Sequence, residues 1–110
     1  MQPSITIIIS TISENLNIFA ERFNFVPLND ADEVIIVIQG KSDNEIINFL
    51  ETKYVVIKEE NNGLSSSRNI GILHATSDYI WFMDDDVLLY NDAIITVKNN
   101  ISKYKSIIKN

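Results

Sequence analysis

Apolar and polar positions alternate along this chain in two periods. Residues 4–11 (SITIIIST) form a nearly continuous apolar run, the pattern of a strand buried on both faces. Residues 14–23 switch to helical spacing, with Leu16, Phe19, Ala20 and Phe23 on one side. A second buried strand is predicted at residues 33–39 (EVIIVIQ). Ser42 with Glu45 then reads as a capping box that opens a helix to about residue 52. A third strand follows at residues 54–58 (YVVIK) and a third helix over residues 65–75, with Ser65 as its N-cap. Residues 79–83 (YIWFM) make a fourth strand, and a last helix runs from Asn91 to about residue 108. Strict β-α alternation with short links predicts an α/β fold, a doubly wound, mainly parallel sheet with helices on both faces. In such sheets ligands bind beyond the carboxyl ends of the strands, where strand order reverses.

The composition agrees with one globular domain, residues 1–110: 45% of residues are hydrophobic and 22% charged. A net charge of −6 argues against nucleic acid as a partner. It also means that a polyphosphate ligand needs a cation or a local Arg or Lys. Without cysteine the chain has no thiolate metal site. Neither a basic-flanked apolar leader nor a run of membrane-spanning length is visible, so the expectation is a cytoplasmic protein. Lys98, Lys103, Lys105 and Lys109 read as a solvated face near the negative end of the last helix. They also permit peripheral attachment at the inner membrane surface. Ile94, Val97, Ile101, Tyr104 and Ile108 form an apolar stripe on that helix, predicted to pack partly on the sheet and partly on a second copy as a homodimer.

Two stretches carry candidate chemistry. Asp84-Asp85-Asp86 follows the fourth strand directly. Strand alternation predicts that Asp84 and Asp86 share one face while Asp85 points away. Two neighbouring carboxylates repel, and a hard divalent cation such as Mg²⁺ or Mn²⁺ relieves this while leaving positions open for diphosphate oxygens. The second stretch is residues 61–71, NNGLSSSRNIG. Gly63 suits a turn with positive φ. Arg68, one of two arginines, falls near a helix N-terminus, where the dipole disfavours a cation and a ligand or carboxylate would justify it. Gly71 inside the helix costs about 1 kcal/mol relative to Ala and suggests close packing against another backbone. His74, the only histidine, reads as a helix residue without a catalytic role.

Taken in order, these pieces resemble the family 2 glycosyltransferases of the GT-A fold. Asn61-x-Gly63 and Ser67-Arg68-Asn69-x-Gly71 follow that family's N-x-G-x-x-x-A-R-N-x-G, with Ser67 at the Ala position. Residues 77–86 are similar to its strand and D-x-D motif. Thr11 and Glu14 resemble its P-T-x-N-E, with Ser10 in place of Pro and Ser13 in place of Asn. Gln39-Gly40-x-Ser42-Asp43 resembles its D-D-G-S-T-D. The resemblance covers about residues 5–89 and implies the nucleotide-sugar-binding half of an inverting, metal-dependent transferase. It places the donor, a nucleoside-diphosphate sugar, against Thr11, Glu14, Gln39, Arg68 and Asp84, with the metal on Asp84 and Asp86. Ile38 and Gln39 stand where the family often has an Asp that reads uracil, which leaves the base open.

The resemblance also implies that a general base and the site for a sugar or glycan acceptor belong to a further half of the domain. This chain is therefore expected to be a truncated transferase domain, inactive alone. Two other classes compete. One is a non-catalytic nucleotide-binding or interaction module on the same fold. The other, more remote, is a haloacid-dehalogenase-like phosphatase, whose D-x-D nucleophile motif ends the first strand and not the fourth.

Overall fold

The computed structural model describes residues 3–41, 44–60 and 63–108. Four strands form one parallel sheet: β1 (Ile5–Ile12), β2 (Glu33–Gln39), β3 (Val55–Glu59) and β4 (Tyr79–Asp84). Their order across the sheet is β3-β2-β1-β4. Helices α1 (Leu16–Arg22), α2 (Asn44–Glu51), α3 (Leu64–His74) and α4 (Ala93–Ile108) alternate with them. The predicted α/β architecture is the one observed.

Strand order explains which face each helix takes. The chain steps one way across the sheet from β1 to β3, then returns past β1 to lay down β4. With right-handed crossovers, a reversal of direction moves the connecting helix to the opposite face. Accordingly Ile5, Ile7 and Ile9 of β1 share a core with Leu16 and Phe19 of α1, Leu50 of α2 and Ile94 of α4. The other face buries Ile8, Ile35 and Val37, packed with Ala75 at the end of α3. Central strands covered on both faces favour apolar residues at nearly every position, hence the run in β1, broken within its enclosed part only by Thr6.

Several boundaries differ from the sequence expectation for local reasons. Residues 13–15 form a 3₁₀ turn before α1, which tightens the exit from β1. A second 3₁₀ turn, Val26–Asp30, was not anticipated; Pro27 lies in its first turn, where a missing N–H costs nothing. Around it Phe19, Phe23 and Phe25 pack with ring centroids 5.0–5.3 Å apart. The N-cap of α3 is Gly63 and not Ser65: at φ 124°, ψ 140° it adopts backbone that a side chain would strain. The Ser42 half of the predicted capping box and Asn61 lie outside the described residues. Among the described residues no helix is long and apolar enough to cross a membrane.

Lys98 corrects the picture of α4 as a lysine-bearing solvated face. Its side chain is 9% exposed and its Nζ lies 2.8 Å from Oδ2 of Asp32. The same oxygen accepts the backbone N–H of Ile5 at 2.8 Å. A buried ammonium requires a counter-charge, and here it ties α4 to the start of β1. Ile94, Val97 and Ile101 of the predicted stripe face the core. The side chains of Tyr104, Lys105, Ile108 and Lys109 lie outside the described residues.

Gly71 is explained by a side chain rather than by a backbone. A Cβ built there would sit 2.6 Å from Cγ2 of Ile8 and 2.8 Å from its Cδ1. Because Ile8 is enclosed, it has little room to yield. We expect Gly71→Ala to lose stability: overpacking of roughly 1–3 kcal/mol outweighs the gain of about 1 kcal/mol in helix propensity. Urea denaturation of the two proteins checks the sign.

The Lys98 ammonium, hydrogen-bonded to Asp32, holds that carboxyl below its ordinary value of 3.8, although burial opposes the shift. A lowered carboxylate pKa contributes stability that is complete above the unfolded value and fades as pH falls through the folded one. Asp32→Asn should therefore destabilise the protein at neutral pH, with the gap closing below about pH 4. Thermal melts of both proteins from pH 7 to pH 2.5 test this.

Candidate active site

The cleft lies over the carboxyl ends of the strands, where β1 and β4 lie side by side and strand order reverses. Ser10 pairs with Asp84 in the β1–β4 register, so the acidic triplet begins level with the last turn of β1. β4 ends at Asp84. The Val87 N–H then reaches the Asp84 carbonyl at 3.4 Å, closing a turn with Asp85 and Asp86 at its centre.

That turn overrides the predicted alternation. Asp84 and Asp86 are exposed and Asp85 is half-buried, but Asp86 no longer belongs to the strand that orients Asp84. Asp85 and Asp86 together line a pocket of about 360 Å³ beside α1, opposite Asn15 and Arg22. Asp84 stays on the side of β4 occupied by Phe82, because alternate residues share a face. Asp85, expected to point away from the site, instead accepts the Thr11 hydroxyl at Oδ2, 2.8 Å away, with Asn15 Nδ2 at 3.5 Å.

The predicted residues fall into two groups. Thr11 and Gln39 share a pocket of about 210 Å³ with Asn15 and Asp85. Glu14 lies in the 3₁₀ turn after β1, exposed, and lines a neighbouring pocket of about 710 Å³ with Gln39, Gly40, Lys41 and Glu60. Arg68 approaches from the other face: its guanidinium carbon is 5.0 Å from the centroid of the Phe82 ring. This is the face to which Asp84 belongs. Among the described residues Arg68 forms no ion pair. Resting on an aromatic ring, it is held in place while its N–H donors stay exposed.

Gln39 differs most from expectation. It is 5% exposed, and its Nε2 donates to the Gly63 carbonyl at 2.8 Å. Only the amide nitrogen can face a carbonyl oxygen, so this contact fixes the orientation of the amide. The side chain expected to pair with a base edge thus fastens the end of β2 to the N-cap of α3. Ser67, fully buried, hydrogen-bonds Ser10 across the same junction.

Sequence reasoning missed Asn15, the inward role of Asp85 and the Gln39–Gly63 link. A signal for Asn15 existed. A helix that opens directly after a strand swings its first-turn residues back over the strand end, and Asn15 is the amide at that place.

Hard cations take oxygen ligands, and Mg²⁺-like ions bind through one or two carboxylates plus phosphate oxygens and water. Among the described residues no three acidic, His or Cys side chains converge as a ready-made metal cage. The exposed carboxylates of Asp84 and Asp86 are of the type that an open site uses, in which ligand oxygens complete the coordination, but Asp86 lines the α1-side pocket whereas Asp84 stays on the Phe82 side.

Comparison with known proteins decides the family. The model of glycosyl transferase family 2 matches residues 6–108. The chain belongs to glycosyltransferase family 2. It is similar to glycosyltransferase GlyA of Streptococcus pneumoniae serotype 4, at 30% identity over 79 residues, which are 67% of this chain and 11% of GlyA. Among solved structures it is similar to S. aureus TarS 1–349, with a TM-score of 0.72 and 20% identity, over 91% of this chain and 32% of that one. It is also similar to glucosyl-3-phosphoglycerate synthase from Mycobacterium tuberculosis, solved with Mn²⁺, uridine diphosphate and phosphoglyceric acid. There the TM-score is 0.59 and the identity 20%, over 86% of this chain and 36% of that one. At these identities the solved structures speak to the fold, the GT-A arrangement of the family. The chain spans about a third or less of each of these relatives.

Gln39, one of the two residues that stand where the family often has an Asp, therefore has a structural part. Gln39→Leu removes the bond to Gly63 and should cost about 1 kcal/mol, a typical net hydrogen bond. Gln39→Glu should cost more, since it sets a buried carboxylate against a carbonyl oxygen. Chemical denaturation of the two variants orders them.

Proposed function

We propose that this chain forms the nucleotide-sugar-binding half of a metal-dependent glycosyltransferase. The observation that carries the reading is the acidic turn at the end of β4, bonded to the end of β1 where strand order reverses, in a chain of family 2. Glucosyl-3-phosphoglycerate synthase, a neighbour by fold, was solved with Mn²⁺ and a nucleoside diphosphate, which supports the same chemistry here.

The nucleoside lies over the ends of β1 and β2, beside Thr11, Glu14 and Gln39. The diphosphate extends toward β4. Net charge −6 and three consecutive acids repel such an anion, so a divalent cation, which Asp84 and Asp86 would hold, would make binding possible. When bound, that cation stabilises the negative charge on the departing diphosphate. Arg68, braced on Phe82, offers a second positive group from the α3 side. Inverting displacement needs a base within hydrogen-bond reach of the acceptor hydroxyl. No residue described here is assigned that role, and the acceptor stays unassigned with it.

Titration calorimetry with UDP-, GDP- and dTDP-sugars, with and without Mn²⁺, tests the reading. At least one donor should bind, and more tightly with the metal. Asp86→Ala should abolish the metal-dependent increment, by about tenfold or more in affinity if a charged contact is lost. Binding of every donor that ignores Mn²⁺ would refute the metal bridge.

A further inference from the structure

We propose that Thr11 and Asp85 form a positioning pair that orients the acidic turn, the Thr11 hydroxyl acting through this bond. The proposal rests on the metal-dependent donor site above. Thr11 is 3% exposed, so its hydroxyl has little surface to offer a ligand. The hydroxyl has one proton to give and two acceptors near it: Oδ2 of Asp85 at 2.8 Å and the Ile12 carbonyl at 3.5 Å. A short bond to a charged oxygen is the stronger of the two. The proton belongs to Asp85.

The turn needs that support. Its own closing contact, Val87 N–H to the Asp84 carbonyl, is 3.4 Å, at the weak end for a backbone bond. Asp85 occupies the first central position of the turn, with Asp84 before it and Asp86 after. Fixing the Asp85 carboxylate against β1 therefore fixes the backbone from which both neighbours project. The three acids thus differ in role, one half-buried and held inward, the two exposed ones left for ligand. Asn15 Nδ2, 3.5 Å from the same oxygen, adds a weaker second tether from the start of α1.

The test compares Thr11→Val, which keeps the shape and loses the hydroxyl, with Thr11→Ser, which keeps the hydroxyl. UDP and GDP affinities are measured with and without Mn²⁺. Thr11→Val should lose about tenfold of the Mn²⁺-dependent increment, and Thr11→Ser should restore it to within about twofold. Asp85→Asn retains an acceptor oxygen and should keep most of the increment, whereas Asp85→Ala should lose it as Thr11→Val does. An unchanged increment in Thr11→Val, failure of Thr11→Ser to restore it, or loss of it in Asp85→Asn would each overturn the pair. The last result would mean that the Asp85 charge itself serves the metal. Ligand-free amide spectra supply a second arm: the Asp86 and Val87 resonances should move in Thr11→Val and return in Thr11→Ser. Should the wild type bind neither of these nucleotides nor dTDP, the donor-site reading fails, and this arm decides the pair alone. Turn resonances that Thr11→Val leaves in place would reject it.

Discussion

β1 is hydrogen-bonded on both edges and packed on both faces, and the rest of the molecule is arranged around that double enclosure. Each residue from Ile5 to Ile9 is buried. Even the polar Thr6 is fully enclosed and must spend its hydroxyl on Glu33, at 2.9 Å. The enclosure is tight enough that α3 can cross Ile8 only where it lacks a side chain, at Gly71. It also requires an anchor at the start of the strand. The Ile5 N–H donates to Asp32, which in turn neutralises a buried lysine from α4. One carboxylate thus secures the first residue of the central strand and the last helix together.

The same enclosure explains why chemistry begins at Ser10. Up to Ile9 a polar side chain has nowhere to face water, so the strand is obliged to be apolar. Beyond it the residues at the strand ends meet one another. Ser10 turns to Ser67 on the α3 side and Thr11 to Asp85 at the end of β4. β4 is the edge strand beside β1, so its acids arrive at this opening and at no other. The site is a consequence of strand order: a β4 placed beside β3 would carry the same triplet far from Thr11.

The sequence was most legible where one period held over a whole element. Both central strands and the first and last helices follow from apolar spacing, the second and third helices from capping and turn residues, and strict alternation implies the parallel sheet. Legibility failed where backbone changed type within a few residues. Alternation assigned opposite sides to Asp84 and Asp85 correctly only as far as the strand lasts, and the turn that begins at Asp84 sends Asp86 elsewhere. Nor does periodicity reveal a long-range polar pair. Lys98 lies in a lysine-bearing stretch of helix and looks solvated, and only the fold brings Asp32, 66 residues earlier in the chain, to its ammonium. The position of Asn15 was obscured similarly, because Ser13 occupied the place where the family pattern sets its amide.

Two of the departures from the family pattern meet each other in the fold. Ser10 stands where the pattern has Pro and Ser67 where it has Ala, positions 57 residues apart, yet their hydroxyls share a hydrogen bond between β1 and α3. The shared bond gives both hydroxyls a partner at the point where the end of β1 meets α3. Gln39 follows the same logic. Replacing a charged acceptor by an amide adds a donor, and at 5% exposure that donor must be met within the protein. The Gly63 carbonyl meets it at 2.8 Å. Both exchanges lie on the α3 side of the cleft and both tie α3 more firmly to the ends of β1 and β2. In this chain polar side chains fasten the α3 wall to the strand ends, while on the other side Thr11 ties the acidic turn to β1.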